Sequence, residues 1–183
     1  MTARRVLLLV AVLVAATGCS SGTGGTPRRA AVTSVSPDSV RPQAIDLAGK
    51  QRCLLDRADW AAFAIEEDGE VTHRDKDPKG VDCGYFTALG YFGFLFNTTD
   101  GVGYWTRSPS AEAVAPVAPV RGYPAFERAN GPDKGRCDLI LDVAEGQALD
   151  VYASIDAAST AKLPPKCETA RKLAELAITA LSR

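Results

Sequence analysis

Four cysteines, Cys53, Cys83, Cys137 and Cys167, punctuate this 183-residue chain, and what they become depends on its first nineteen residues. Those carry Arg4 and Arg5, then an apolar run over residues 6–16, and close on Ala16-Thr17-Gly18-Cys19. A cationic start, a short apolar stretch and small residues ahead of a cut site make a secretion signal. The apolar run is about eleven residues, short of the roughly 20 that a membrane-spanning helix needs. The reading is a signal over residues 1–18, cleaved before Cys19, whose thiol then carries lipid. An ordinary cleaved signal, with Cys19 left free or removed, is the alternative. The expected location is the extracytoplasmic face of the cell membrane, held by palmitate-type acylation.

In such an oxidising compartment an even set of cysteines is expected to form disulfides. Four cysteines allow three pairings, and the sequence leaves them open. The favoured pairs are Cys53–Cys83 and Cys137–Cys167, each separated by 30 residues and each tying a helix start to a strand. Zinc is the rival use of thiols. No two of the four sit at a C-x2–4-C spacing and His73 is the only histidine, so no metal and no cofactor is expected.

Without residues 1–18 the chain has 165 residues, enough for one domain with a sizeable core. The signal takes two arginines with it, leaving 19 Lys+Arg against 22 acids, a net charge near −3. That balance argues against nucleic-acid binding and offers no basic patch to assist a lipid anchor. Residues 19–49 open Cys-Ser-Ser-Gly-Thr-Gly-Gly-Thr-Pro and stay rich in Ser, Thr, Pro and Ala, the composition of a disordered tether. Within it, residues 40–47 are the part that can lie against the domain. The single domain is expected over residues 50–183.

The domain opens with a helix entry. Asp56 suits an N-cap, Asp59 sits at N3, and Leu55 and Trp60 have the spacing of a hydrophobic staple. The helix is expected to run to about Ile65. A charged loop follows over residues 68–80, with a short edge strand at residues 70–73; His73 within it reads as solvated. Eight of the chain's thirteen aromatics then fall within residues 85–105. Phe92, Phe94 and Phe96 alternate with Tyr91, Gly93 and Leu95 at strand period, so both faces of that strand are expected to be covered. Asn97-Thr98-Thr99-Asp100-Gly101 reads as a turn into a returning strand over residues 102–107. A closed core is the favoured account of these aromatics. The alternative is an apolar face for a lipid-like ligand, built from Tyr85, Tyr91, Phe92, Phe94, Phe96 and Trp105.

Pro109, Pro116 and Pro119 mark residues 108–119 as loop or edge. Residues 120–127 read extended, and residues 130–135 read as a strong turn. Two alternating strands follow. Cys137, Leu139, Leu141 and Val143 share one face of the first, and Leu149, Val151, Ala153 and Ile155 share one face of the second. Joined as a hairpin, they bring Asp142 near Asp150, read as two solvated carboxylates rather than a cation site. Residues 167–182 show the helical recurrence of Ala170, Leu173, Ala174, Ala177 and Leu181, with a charge-balanced polar side, so this helix is expected to pack on the sheet. The fold class is α+β: an antiparallel β-sheet with an N-terminal and a C-terminal helix packed on it, and two disulfides.

No catalytic motif stands out. The one histidine has no G-x-S-x-G companion, and no phosphate-cradling loop is present. The expectation is a non-catalytic binding or protein-interaction module, monomeric, with an envelope protein or a small apolar ligand as partner. The alternative is a hydrolase of envelope substrates using Asp138, Asp142, Asp150 or Asp156.

The order of these motifs resembles a family of small actinobacterial envelope lipoproteins of unknown function. The resemblance rests on Cys53-Leu54-Leu55 before a helix, Cys83 about thirty residues on, Gly122-Tyr123-Pro124-Ala125, Cys137 opening a hairpin and Cys167 opening the last helix. Here Gly84-Tyr85 replaces a usual tryptophan near Cys83, and Asp56-Arg57 replaces a Thr-Pro. The resemblance implies an antiparallel α+β domain, and it supplies no activity and no catalytic residue.

Overall fold

The computed structural model describes residues 41–76, 78–107, 114–129, 135–156, 159 and 162–183, all within one compact unit, Pro37–Arg183. The signal, Cys19 and most of the expected tether lie outside the described residues, as does most of the expected turn over residues 130–135.

Among the described residues seven strands form one sheet: β1 (Glu70–Arg74), β2 (Gly80–Thr87), β3 (Gly90–Asn97), β4 (Ala115–Val120), β5 (Tyr123–Ala129), β6 (Arg136–Ala144) and β7 (Gln147–Ile155). Their spatial order is β1-β2-β3-β7-β6-β5-β4, and every neighbouring pair is antiparallel. Five of the six pairings join strands adjacent in sequence, two on one side of the β3–β7 seam and three on the other. The seam itself is long-range, and it aligns Phe92 with Ala153, Phe94 with Val151 and Phe96 with Leu149. The alternation read in β3, β6 and β7 therefore sets the register, because a one-residue slip would turn each apolar row outward.

One face carries the main core. Val81, Cys83, Tyr85, Phe92, Phe94, Phe96, Leu139, Leu141, Leu149 and Val151 meet Ala170, Leu173, Ala174, Ala177, Ile178 and Leu181 of the C-terminal helix. That helix, Lys166–Leu181, follows Pro164 and Pro165, and Thr169 Oγ1 donates to the Pro164 carbonyl at 2.9 Å. Three fully buried alanines let its backbone approach the sheet. Each buried leucine contributes roughly 1.5–3 kcal/mol of apolar burial. The start of the described chain covers the rest of this face. Ile45 and Leu47 are buried there and the Ile45 N–H donates to the Val143 carbonyl at 2.9 Å, while on the opposite face of β6 Arg41 grips Asp142 with bonds of 2.7 and 2.8 Å. The packing expected for residues 40–47 is thus observed from Arg41 onward.

Both favoured disulfides are present, with Cα–Cα distances of 5.3 Å for Cys53–Cys83 and 5.2 Å for Cys137–Cys167. The first ties the N-terminal segment to β2. The second ties the first turn of the C-terminal helix to β6.

Two local expectations are corrected. The N-terminal helix is a single 3-10 turn, Trp60–Phe63, preceded by Asp59 rather than capped by Asp56. Ala64 ends it by entering the left-handed region at φ 53°, and the Trp60 indole N–H donates to the Leu55 carbonyl at 3.4 Å. Residues 102–107, expected as a strand, hold the short helix α1 (Gly103–Arg107); the C-terminal helix is accordingly α2. Asn97 Oδ1 accepts the N–H groups of Thr99 and Asp100 at 3.0 Å each, and Gly101 takes φ 54°, so the chain curls instead of returning as a strand. The curl drops Trp105 onto Leu95, Phe126, Ile140 and Ala148, a second apolar cluster on the sheet's other face.

Candidate functional site

The six residues of the expected apolar face do not share a face. Tyr85, Phe92, Phe94 and Phe96 are buried in the main core under α2, and the Tyr85 hydroxyl accepts the Leu55 N–H at 3.2 Å. Trp105 sits in the smaller cluster on the opposite side. Tyr91 lies on that opposite side too, among polar groups. Strand alternation imposes the split, since Phe92, Phe94 and Phe96 project one way and Tyr91 and Leu95 the other. The closed core accounts for the four buried aromatics.

The opposite face holds the chemistry. Gly84 of β2 pairs directly with Gly93 of β3, and Gly93 pairs with Tyr152 of β7. Two adjacent residues without side chains leave a furrow in the sheet, and tyrosine rings fill it. A Cβ at Gly84 would overlap the end of Tyr91, and one at Gly93 would overlap the Tyr152 hydroxyl. The Tyr152 hydroxyl donates to Asp82 Oδ1 at 2.6 Å and lies 2.8 Å from the Tyr91 hydroxyl. A phenol has one proton to give. With that of Tyr152 on the carboxylate, Tyr91 supplies the proton of the second bond. Burial, and then the neighbouring Asp82 charge, push the Tyr152 phenol far above its ordinary value; burial raises Tyr91 as well. Both stay neutral.

Beyond Tyr152 lies Asp138, its direct cross-strand partner on β6. Asp138 is completely buried and is clamped by two arginines. Arg136 Nε donates to Oδ1 at 2.6 Å, and Arg128 Nε donates to Oδ2 at 3.2 Å. The Arg136 guanidinium also covers the Tyr152 ring at 3.9 Å from its centroid. Burial opposes the charge on Arg136, but Asp150 and Asp138 more than offset it and hold the group firmly protonated.

Asp150 completes the set. It pairs with Ile140 on β6 and Leu95 on β3, so it projects into this same face. It is 2% exposed, and its Oδ1 has no hydrogen-bond partner. Burial, then the Asp138 charge, raise its carboxyl to about 7 against the pull of Arg136 and Arg128. The expected pair of solvated carboxylates is therefore corrected. Asp142 pairs with Ala148 rather than facing Asp150, is locked to Arg41, and both carboxylates are buried. The sheet's second face is covered as well as the first, which the alternating pattern of the hairpin does not reveal.

Asp82, Asp138 and Asp150 are thus matched by Arg74, Arg128 and Arg136, with Arg74 3.7 Å from Asp82. The six charges cancel when Asp150 is ionised and leave one positive charge when it holds a proton. Chemically the arrangement can store a proton inside the sheet. Its carboxylates are enclosed, and at its rim only Phe86 stands out, 70% exposed and stacked on Tyr91 at 4.4 Å. Glu127 lies near Cys137 and Cys167 in a metal-like grouping, but both sulfurs are spent on the disulfide.

The sequence reading missed Asp82, Arg128, Arg136 and Tyr152 as members of one network. Its signal is cross-strand: counting back from the turn at residues 130–135 places Arg128 opposite Asp138.

What fold and site define together is a disulfide-bonded antiparallel α+β domain whose charged cluster is internal. A family model described as a protein of unknown function, DUF3558, matches residues 14–180, and the chain belongs to that family. No curated protein and no solved structure matches the chain.

Proposed function

We propose that this chain is an extracytoplasmic lipoprotein, held to the membrane through acylated Cys19, whose domain works by binding and not by catalysis. The observation that carries the reading is the cysteine assignment. All four domain cysteines are consumed in two internal bridges. That leaves Cys19, directly after a secretion-type signal, as the one cysteine for lipid. Bridges of this kind also belong to an oxidising compartment. The domain then stands off the membrane on a Ser-, Thr- and Pro-rich leader, in the manner of the small actinobacterial lipoproteins that the motif order resembles.

The binding reading draws on the site's geometry. The aromatic core is filled by α2, and the carboxylates are clamped or enclosed, so recognition falls to the surface and to an envelope protein as partner. Fractionation tests the anchor. Wild-type protein is expected in the membrane fraction, and the Cys19→Ser variant in the soluble extracytoplasmic fraction; equal retention of both counts against the reading. Alkylation without reductant is expected to leave the four domain cysteines unlabelled.

One observation favours a second reading. A buried carboxyl raised to about 7, as at Asp150, has the character of a general acid. In that case Asp150→Asn would abolish turnover of an envelope substrate while leaving the fold intact; an unaltered host phenotype for Asp150→Asn supports binding instead.

A further inference from the structure

The two ends of the sheet are treated differently. At one end, β4 contains Pro116 and Pro119, which have no N–H to offer, and Arg171 of α2 occupies the carbonyls of Ala118 and Pro119 at 2.5 and 3.2 Å. Proline and a capped carbonyl are standard ways of closing an edge strand to further pairing. At the other end, β1 reads Glu-Val-Thr-His-Arg, with no proline and no glycine, and all five residues are exposed. Among the described residues its only ladder partner is β2. Its Val71, 45% exposed, is with Phe86 one of two large apolar side chains open to solvent among the described residues.

We infer that β1 is a docking edge for the β1 strand of a second copy of this chain. The argument is charge complementarity in one register. Antiparallel self-pairing centred on Thr72 places Glu70 opposite Arg74 of the second copy, and Arg74 opposite its Glu70. Opposite charges directly across a strand pair are favourable, and like charges are unfavourable. The pairing of β1 with β2 sets Glu70, Thr72 and Arg74 opposite Gly84, Asp82 and Gly80, so the three share the face that carries the Asp–Tyr–Arg network. A two-fold axis perpendicular to the sheet preserves that face, and both ion pairs form on it. On the other face Val71 meets His73. Slipping the register by two residues loses both ion pairs, and parallel pairing sets Glu70 beside Glu70 and Arg74 beside Arg74. Of these arrangements only the Thr72-centred register sets each Glu70 opposite an Arg74, which in each copy also lies 3.7 Å from its own Asp82.

The closed β4 edge fixes the size of the assembly. An isologous β1–β1 contact uses the open edge of each copy and leaves none free, so the sheet stops at two copies instead of growing into a filament. This inference replaces the monomer expected from sequence, and it stands whether or not Cys19 carries lipid.

A cysteine placed on the two-fold axis tests it. Directly opposed residues have Cα atoms about 4.5–5.5 Å apart, within disulfide reach. Full-length Thr72→Cys, expressed in its own host, is expected to run as a covalent homodimer without reductant. Glu70→Cys is the control, because its two copies would lie roughly 13 Å apart, four residues along the strand. Equal cross-linking of both variants, none of either, or a Thr72→Cys adduct with a different protein overturns the proposal. Sedimentation of detergent-solubilised protein avoids any new thiol. Glu70→Arg is expected to weaken self-association about tenfold, as two attractions become repulsions. The exchange Glu70→Arg with Arg74→Glu is expected to restore it in part, because it also replaces the Arg74–Asp82 pair by two like charges. A sedimenting monomer at every concentration for the unaltered chain, or no difference among the three forms, contradicts it.

Discussion

Tyr152 and Asp82 meet at 2.6 Å although 70 residues separate them and the strand β3 lies between their own. The bond crosses that strand because β3 presents Gly93 there, and the Tyr152 ring lies over the gap. The bond satisfies a carboxylate that is nearly buried. Tyr152→Phe keeps the ring and removes the proton donor, and it is expected to cost about 1–3 kcal/mol in chemical denaturation at pH 7. An unchanged midpoint would mean that water replaces the hydroxyl freely.

The furrow makes a separate prediction. A methyl group at Gly93 would overlap both the Tyr152 hydroxyl and the Cys83 carbonyl, and the latter is backbone that cannot swing aside. Gly93→Ala is therefore expected to destabilise the domain by about 1–3 kcal/mol, the usual range for an overfilled interior. Gly146→Ala is the comparison. It has open space around it but a φ of 67°, so its cost is backbone strain alone, of order 1 kcal/mol.

Asp150 ties stability to pH. Its carboxyl is raised from 3.8 to about 7 in the folded state. Between those values the folded chain holds a proton that the unfolded chain releases, so this group's contribution falls as pH rises from about 4 to about 7. Above pH 7 both states are ionised and the penalty is complete, on the order of 4 kcal/mol; below pH 4 it vanishes. Asp150→Asn removes the titration. The variant is expected to gain most over the unaltered chain at pH 8 and to match it near pH 4, measured as denaturation midpoints across that range. A pH-independent difference would contradict the assignment.

Much of this fold is written locally, and what is not depends on distant partners. The periodicities of β3, β6, β7 and α2 are visible because one face of each is apolar throughout. The cysteines fall on those same elements, Cys137 near the start of β6 and Cys167 near the start of α2, but the sequence leaves their pairing open and the fold decides it. The aspartates of β6 and β7 defeat the same reasoning. Alternation marks Asp138, Asp142 and Asp150 as outward, and outward is ordinarily solvated. Their burial depends on Arg128, Arg136 and Arg41, the last a hundred residues upstream of Asp142. The helix α1 is hidden for a related reason. Tyr104 and Trp105 favour strands, but Trp105 gains more by filling the cluster around Leu95 and Ile140.

The bridge between β6 and α2 closes a 30-residue separation. Chain-entropy arithmetic assigns it about 3–4 kcal/mol. Replacing Cys137 and Cys167 together by alanine is expected to lower stability by that amount, with α2 loosening first because its first turn loses its tie to the sheet. Hydrogen exchange of α2 amides checks the order of events; uniform loss of protection over the whole sheet would place the bridge's effect elsewhere.

The account turns on what becomes of Cys19, and the N-terminal peptide of the protein purified from its own host reports it directly by mass spectrometry. The predicted result is a chain beginning at Cys19, with diacylglyceryl on its sulfur and residues 1–18 gone. A chain that still begins at Met1, or one with a free Cys19 thiol or cleaved beyond it, would contradict the account.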